Sequence, residues 1–116
     1  MITLYGIPNC NTVKKARQYL SDKGLDYRFH DFKKLGVDAD TLSRWIDAVT
    51  LARLINRQGT TWRALPDADK ARAEDRAAAI ALLMEKPSLI KRPVLENAGQ
   101  VSVGFAEADW AERLQA

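Results

Sequence analysis

The sequence predicts an α/β fold built on a small mixed sheet, and three observations carry that expectation. An apolar stretch at residues 2–6, a helical pattern at 12–20 and an alternating stretch at 25–31 have the lengths of a strand–helix–strand unit. The middle of the chain reads as one helix after another. The end reads as a hairpin followed by a helix.

Each element has its own reason. Residues 2–6 form a short apolar strand, and residues 7–11 contain Pro8 and two asparagines, as a turn does. Val13, Ala16 and Leu20 recur at helical spacing, with Lys14, Lys15 and Arg17 turned outward, and Gly24 ends the helix. In the second strand Tyr27 and Phe29 share one face, Arg28 and His30 the other. Strands joined by a helix of this length are normally parallel.

Asp38 or Asp40 caps the next helix, whose apolar side carries Leu42, Trp45, Ile46 and Val49. Leu51 to Ile55 is a further helical turn, broken at residues 58–61, which leaves Trp62 in a loop. Pro66 and Asp67 open a helical stretch that runs, with one interruption, to Lys86 before Pro87. Ala73, Ala77, Ile80, Leu83 and Met84 are its expected packing residues. Residues 93–96 and 101–105 make a hairpin around residues 97–100, and residues 106–115 close the chain as a helix with Trp110 and Leu114 on one side.

The composition bounds the function. The 116 residues suit one domain, and 47% hydrophobic with 28% charged residues is ordinary for a globular protein. A net charge of +3, spread along the chain, lacks the clustered basic stripe of a nucleic-acid binder, so no direct nucleic-acid partner is expected. No apolar run approaches the roughly 20 residues of a membrane span, and no secretory leader is evident. With one cysteine and one histidine, neither a disulfide framework nor a metal shell is expected, and the default compartment is the cytoplasm.

That one cysteine is Cys10, at the junction of turn and helix. A helix N-terminus offers unpaired N–H groups and a positive dipole end, and both favour the nucleophilic thiolate. A free thiol with a pKa near 8.5 is only about 3% ionised at neutral pH. Bringing the pKa to about 6 requires about 3.4 kcal/mol, whereas a helix terminus supplies roughly 0.3–2 kcal/mol. A nearby cation is therefore required as well.

The same order of elements, with a cysteine after the first strand and Pro93 opening the third, is the thioredoxin-like layout. That layout implies a loop before Pro93, often with a cis peptide bond, facing the cysteine, and it directs Arg92 toward the sulfur. Four blocks then resemble the ArsC/Spx (arsenate reductase-like) family, closest to its small YffB-like branch: YGIPNCNTVKKA at residues 5–16, YRFHDF at 27–32, NRQGTTWR at 56–63 and PSLIKRP at 87–93. The resemblance spans essentially the whole chain. It implies a thioredoxin-like core at about residues 1–37 and 87–116, with a helical insertion at about 38–86. It also implies a thiol-reductase activity supported by glutathione as co-substrate, with no tightly bound cofactor.

In the family's glutathione-coupled arsenate reductases one cysteine attacks the oxyanion and three arginines surround it. The cysteine matches Cys10 and the arginine before the proline matches Arg92. The first arginine falls nearest Asn56, one residue before Arg57, and the third falls at Gly104, which carries no side chain. The Cys-x-x-Cys switch common in Spx-type regulators of RNA polymerase is absent, since Val13 stands at the second position. Cys10 and Arg92 are thus the expected catalytic pair. Asn9, Asn11, Thr12, Lys14, Arg57, Arg63, Lys91 and Pro93 are the expected binding residues for glutathione and a small disulfide or oxyanion substrate, with glutaredoxin a further partner. Asn9, Asn11 and Thr12 are also expected to cap the helix. His30 reads as structural, and Asp67, Asp69, Glu74 and Asp75 as helix-terminus or solvated charges.

Overall fold

The computed structural model describes residues 1–115. Four strands form a mixed sheet in the order β2-β1-β3-β4, with β1 at Ile2–Gly6, β2 at Tyr27–Asp31, β3 at Val94–Asn97 and β4 at Gln100–Val103. β1 and β2 run parallel, pairing Ile2 with Tyr27 and Leu4 with Phe29. β3 is antiparallel to both its neighbours, pairing Leu95 with Leu4 on one side and with Ser102 on the other. This is the mixed α/β architecture of the thioredoxin-like fold.

The described residues divide into two compact units, residues 1–32 with 92–115 and residues 33–91. In the first, α1 (Asn11–Asp22) and α8 (Glu107–Leu114) bring Ala16, Tyr19, Leu20 and Trp110 onto Ile2, Leu4 and Leu95. Tyr19, Phe105 and Trp110 meet edge to face, with ring centroids 4.8–5.9 Å apart; aromatic pairs of this geometry contribute about 0.5–1.5 kcal/mol each beyond area burial. Arg17 is not turned outward as its helical position suggested. Its guanidinium carbon lies 4.2 Å over the Phe29 ring centroid and its Nε donates to Tyr27 Oη at 3.0 Å, tying α1 to β2. The turn between β3 and β4 places Ala98 and Gly99 at φ 52° and 81°, the left-handed pair of a two-residue hairpin loop.

The second unit is helical: α3 (Ala39–Val49), α4 (Leu51–Leu54), α5 (Thr60–Arg63), α6 (Asp67–Ala71) and α7 (Arg76–Glu85). Asp38 is the cap of α3, its Oδ1 accepting from Thr41 N at 2.8 Å. Leu42, Trp45, Ile46 and Val49 are all buried. Two short helical pieces escaped the sequence reading, α2 (Phe32–Leu35) and α5, so Trp62 stands in a helical turn rather than a loop. The 67–86 stretch is broken at Arg72–Glu74, a 3-10 turn, and Asp75 recaps α7 by accepting from Ala78 N at 2.9 Å. That break resets the helical phase. Ala79, Leu82 and Leu83 are buried, while Ala77 and Met84, expected inside, are exposed.

Within this unit Ile55 and Ile90 form an isolated antiparallel bridge. Hydrogen bonds from Asn56 N to Leu89 O and from Lys91 N to Leu54 O, both 2.8 Å, flank it. They fix the stretch that leads into Arg57.

Candidate active site

The first unit sets Cys10 between the end of β1 and the start of α1. Residue 10 is itself the helix N-cap, with extended φ −136° and ψ 125°, and its carbonyl accepts the first helical bond from Lys14 N at 2.9 Å. This corrects the expectation that asparagine or threonine side chains cap the helix. Asn11 and Thr12 already lie inside the first turn and Asn9 precedes the cap, so the thiol occupies the cap seat. Asn9, Asn11, Thr12 and Lys14 are all exposed around it.

The Arg92–Pro93 peptide bond is cis, and Pro93 is buried. Arg92, partly buried, interacts with the Cys10 sulfur both as a hydrogen-bond donor and as a charge. Burial pushes the Cys10 pKa up, but the amide of Val13, the Arg92 guanidinium and the amide of Thr12 together outweigh it, and the net pKa is lowered. Surroundings of this kind favour the thiolate, the form in which a cysteine is nucleophilic. Val13 entered the sequence reading as an apolar position of the helix and as the residue replacing a second cysteine; its backbone N–H is the contribution that reading missed. The cap position of Cys10 was the available signal, because a cap atom accepts from the N2 or N3 amide.

Gly104, at φ 82°, donates its N–H to the Pro93 carbonyl at 2.8 Å, tying the end of β4 to the proline. No side chain is available there to hold an anion. His30 pairs with Tyr5 across β1 and β2, their ring centroids 5.0 Å apart. It is not among the groups acting on the thiol.

Arg57, Arg63 and Lys91 belong to the second unit. Arg57 stacks over the Trp62 ring with its guanidinium carbon 5.2 Å from the centroid. Arg63 donates to the carbonyls of Gln58 at 2.8 Å and Gly59 at 3.5 Å. Asn56, standing nearest the family's first arginine, accepts from Gln58 N at 3.2 Å in a local turn. Lys91 is exposed. No helix among the described residues is long and apolar enough to cross a membrane.

The ArsC family model matches residues 5–113. A solved YffB protein is 45% identical over 97% of both chains and superposes with a TM-score of 0.91. An arsenate reductase (ArsC) related protein from Brucella melitensis is 47% identical over 99% of this chain and 95% of its own, with a TM-score of 0.75. An uncharacterized protein of Haemophilus influenzae is 38% identical over 95% of this chain and 96% of its own. More distantly, the global transcriptional regulator Spx of Streptococcus pyogenes is 24% identical over 92% of this chain and 80% of its own.

Proposed function

This chain belongs to the ArsC family, and on that footing we propose that it is a glutathione-dependent monothiol reductase of the cytoplasm, with Cys10 as nucleophile. The observation that carries the reading is the seat of the thiol, held by the amides of Val13 and Thr12 and by Arg92, in a sequence with no second cysteine to resolve an adduct.

The cycle follows from thiol–disulfide exchange. The Cys10 thiolate attacks one sulfur of a disulfide R–S–S–R′, forms Cys10–S–S–R and releases R′–S⁻. A glutathione thiolate then attacks the R-side sulfur, returning Cys10 as thiolate and leaving R–S–S–glutathione. Cys10 is unchanged overall, and R′ leaves as R′–SH with the proton from glutathione. A second glutathione thiolate then attacks the glutathione sulfur of R–S–S–glutathione, releasing R–SH and glutathione disulfide, which completes the two-electron reduction. Arg92 stabilises the thiolate at both ends of the cycle, and the backbone at Pro93 and the exposed Asn9, Asn11 and Thr12 offer polar groups for the tripeptide.

The test is turnover of a small disulfide with glutathione by the wild type and by Cys10→Ser. Activity that vanishes in the variant, with the circular dichroism spectrum kept, supports the reading; activity retained by Cys10→Ser overturns it. Arsenate reduction is a weaker reading of the same site, because Gly104 supplies no third cation. The distant likeness to Spx favours a second reading, a regulator that binds a protein partner such as RNA polymerase; co-purification of polymerase with a tagged copy tests it.

A further inference from the structure

Gly6, the last residue of β1, is buried and stands under the first turn of α1. Its φ lies outside the left-handed region adopted by Gly24, Gly36, Gly99 and Gly104. Backbone conformation therefore does not demand a glycine here, and the reason for one is space. A Cβ built on Gly6 would lie 2.9 Å from Val13 Cγ2 and 3.3 Å from Val13 Cγ1, with Phe29 Cε1 at an ordinary 3.7 Å. Carbon–carbon contacts are optimal at about 3.5–4.0 Å, so Val13 would have to retreat.

Val13 has no easy retreat through its own side chain. A β-branched residue in a helix holds essentially one χ1 rotamer, and Val13 is fully buried. Relief must come from the backbone, which means lifting the first turn of α1 away from β1. The amides of Thr12 and Val13 shift with that turn. Cys10, bonded to the turn through its carbonyl and Lys14 N, is also joined to β1 through residues 7–9, so the geometry between the sulfur and those amides changes.

We propose that Gly6 is a positioning residue: by having no side chain it lets Val13 seat directly on β1, and this contact sets where the Thr12 and Val13 amides stand relative to the Cys10 sulfur. The inference rests on the reading of Cys10 as an activated thiolate nucleophile. Gly6 touches neither substrate nor sulfur and acts through Val13.

The experiment is the pH dependence of Cys10 alkylation by iodoacetamide in the wild type, Gly6→Ala and the double variant Gly6→Ala/Val13→Ala. Folding is followed in parallel by circular dichroism. In Gly6→Ala the thiol pKa is expected to rise by at least about half a unit, an about threefold loss of thiolate at pH below both values. Trimming Val13 in the double variant returns it toward the wild-type value. A destabilisation that merely loosened the domain would not give this return.

A folded Gly6→Ala with an unchanged profile overturns the inference while leaving the thiolate reading intact. If Gly6→Ala does not fold, the double variant decides: a wild-type profile supports the proposal, and a raised pKa or failure to fold overturns it. A wild-type thiol titrating at its ordinary value near 8.5 overturns both readings together.

Discussion

Gly104 hands its backbone N–H to the carbonyl of Pro93 at 2.8 Å from a left-handed backbone conformation, φ 82°. The position that the resemblance sets against the family's third arginine is therefore held by a glycine in a backbone conformation few other residues adopt. A side chain here meets the Cβ penalty of left-handed φ, about 1–2 kcal/mol. Gly104→Ala and Gly104→Arg should both lower stability by about that amount, seen as a reduced urea midpoint. Gly104→Arg alone should gain no arsenate-dependent thiol oxidation with glutathione and glutaredoxin, because Asn56 still stands where the resemblance sets the first arginine. A stable Gly104→Arg that turns over arsenate would contradict this account.

Removing Arg92 should raise the Cys10 pKa. Burial already works against the thiolate, and the guanidinium helps to overcome it as donor and as charge. In Arg92→Ala the alkylation profile should move to higher pH, and the rate at pH below both pKa values should fall about tenfold if the pKa rises by about one unit. Arg92→Lys should fall between the two, since an ammonium keeps the charge without the planar donor fork. Profiles that coincide would show that Arg92 does not act on the sulfur.

The lowered thiol pKa also makes a stability prediction with a definite sign. Cys10 releases its proton more readily in the folded state than in the unfolded one, so the unfolded state binds more protons between the two values. Its contribution is fully present above the ordinary thiol value of about 8.5 and is lost as pH falls through the folded-state pKa. Under reducing conditions, the stability of the wild type relative to Cys10→Ser should therefore rise with pH from the folded-state thiol pKa up to the ordinary thiol value of about 8.5. Paired denaturation curves check this, and a difference that stays flat or falls with pH would refute it. In an Arg92→Ala background the rise should shrink.

The β3–β4 hairpin offers a stabilising change away from the thiol. Ala98 holds φ 52°, where an alanine is strained and an asparagine is well tolerated. Ala98→Asn should raise stability by about 0.5–1 kcal/mol, because the short polar asparagine side chain hydrogen-bonds locally and so tolerates the left-handed conformation better than alanine. Thermal denaturation of the two proteins measures it, and a lowered midpoint would argue against the left-handed turn.

How legible each feature was depended on whether its cause is local. Val13, Ala16 and Leu20 announce a helix because 3.6-residue periodicity is written in neighbouring positions, and the same holds for the apolar side of α3. Tyr27 and Phe29 announce a half-buried strand by alternation. Short α5 had no such pattern, because a four-residue turn is too brief to show a period. The phase of α7 was misread because a 3-10 turn at Arg72–Glu74 shifts the register by a fraction of a turn, enough to put Ala79 inside and Ala77 outside.

By itself the sequence determined the order of the strands and longer helices, the hairpin around residues 97–100, and the placing of its one cysteine at a helix N-terminus. These follow from side-chain periodicity and turn chemistry over a few adjacent residues. Only the tertiary structure decided that Cys10 rather than an asparagine takes the cap seat, that Arg17 folds back over Phe29, that Arg92 reaches the sulfur, and that Gly6 leaves room for Val13. Those are contacts between separate elements, fixed by packing distances of a few ångströms. No local pattern in a sequence encodes such distances.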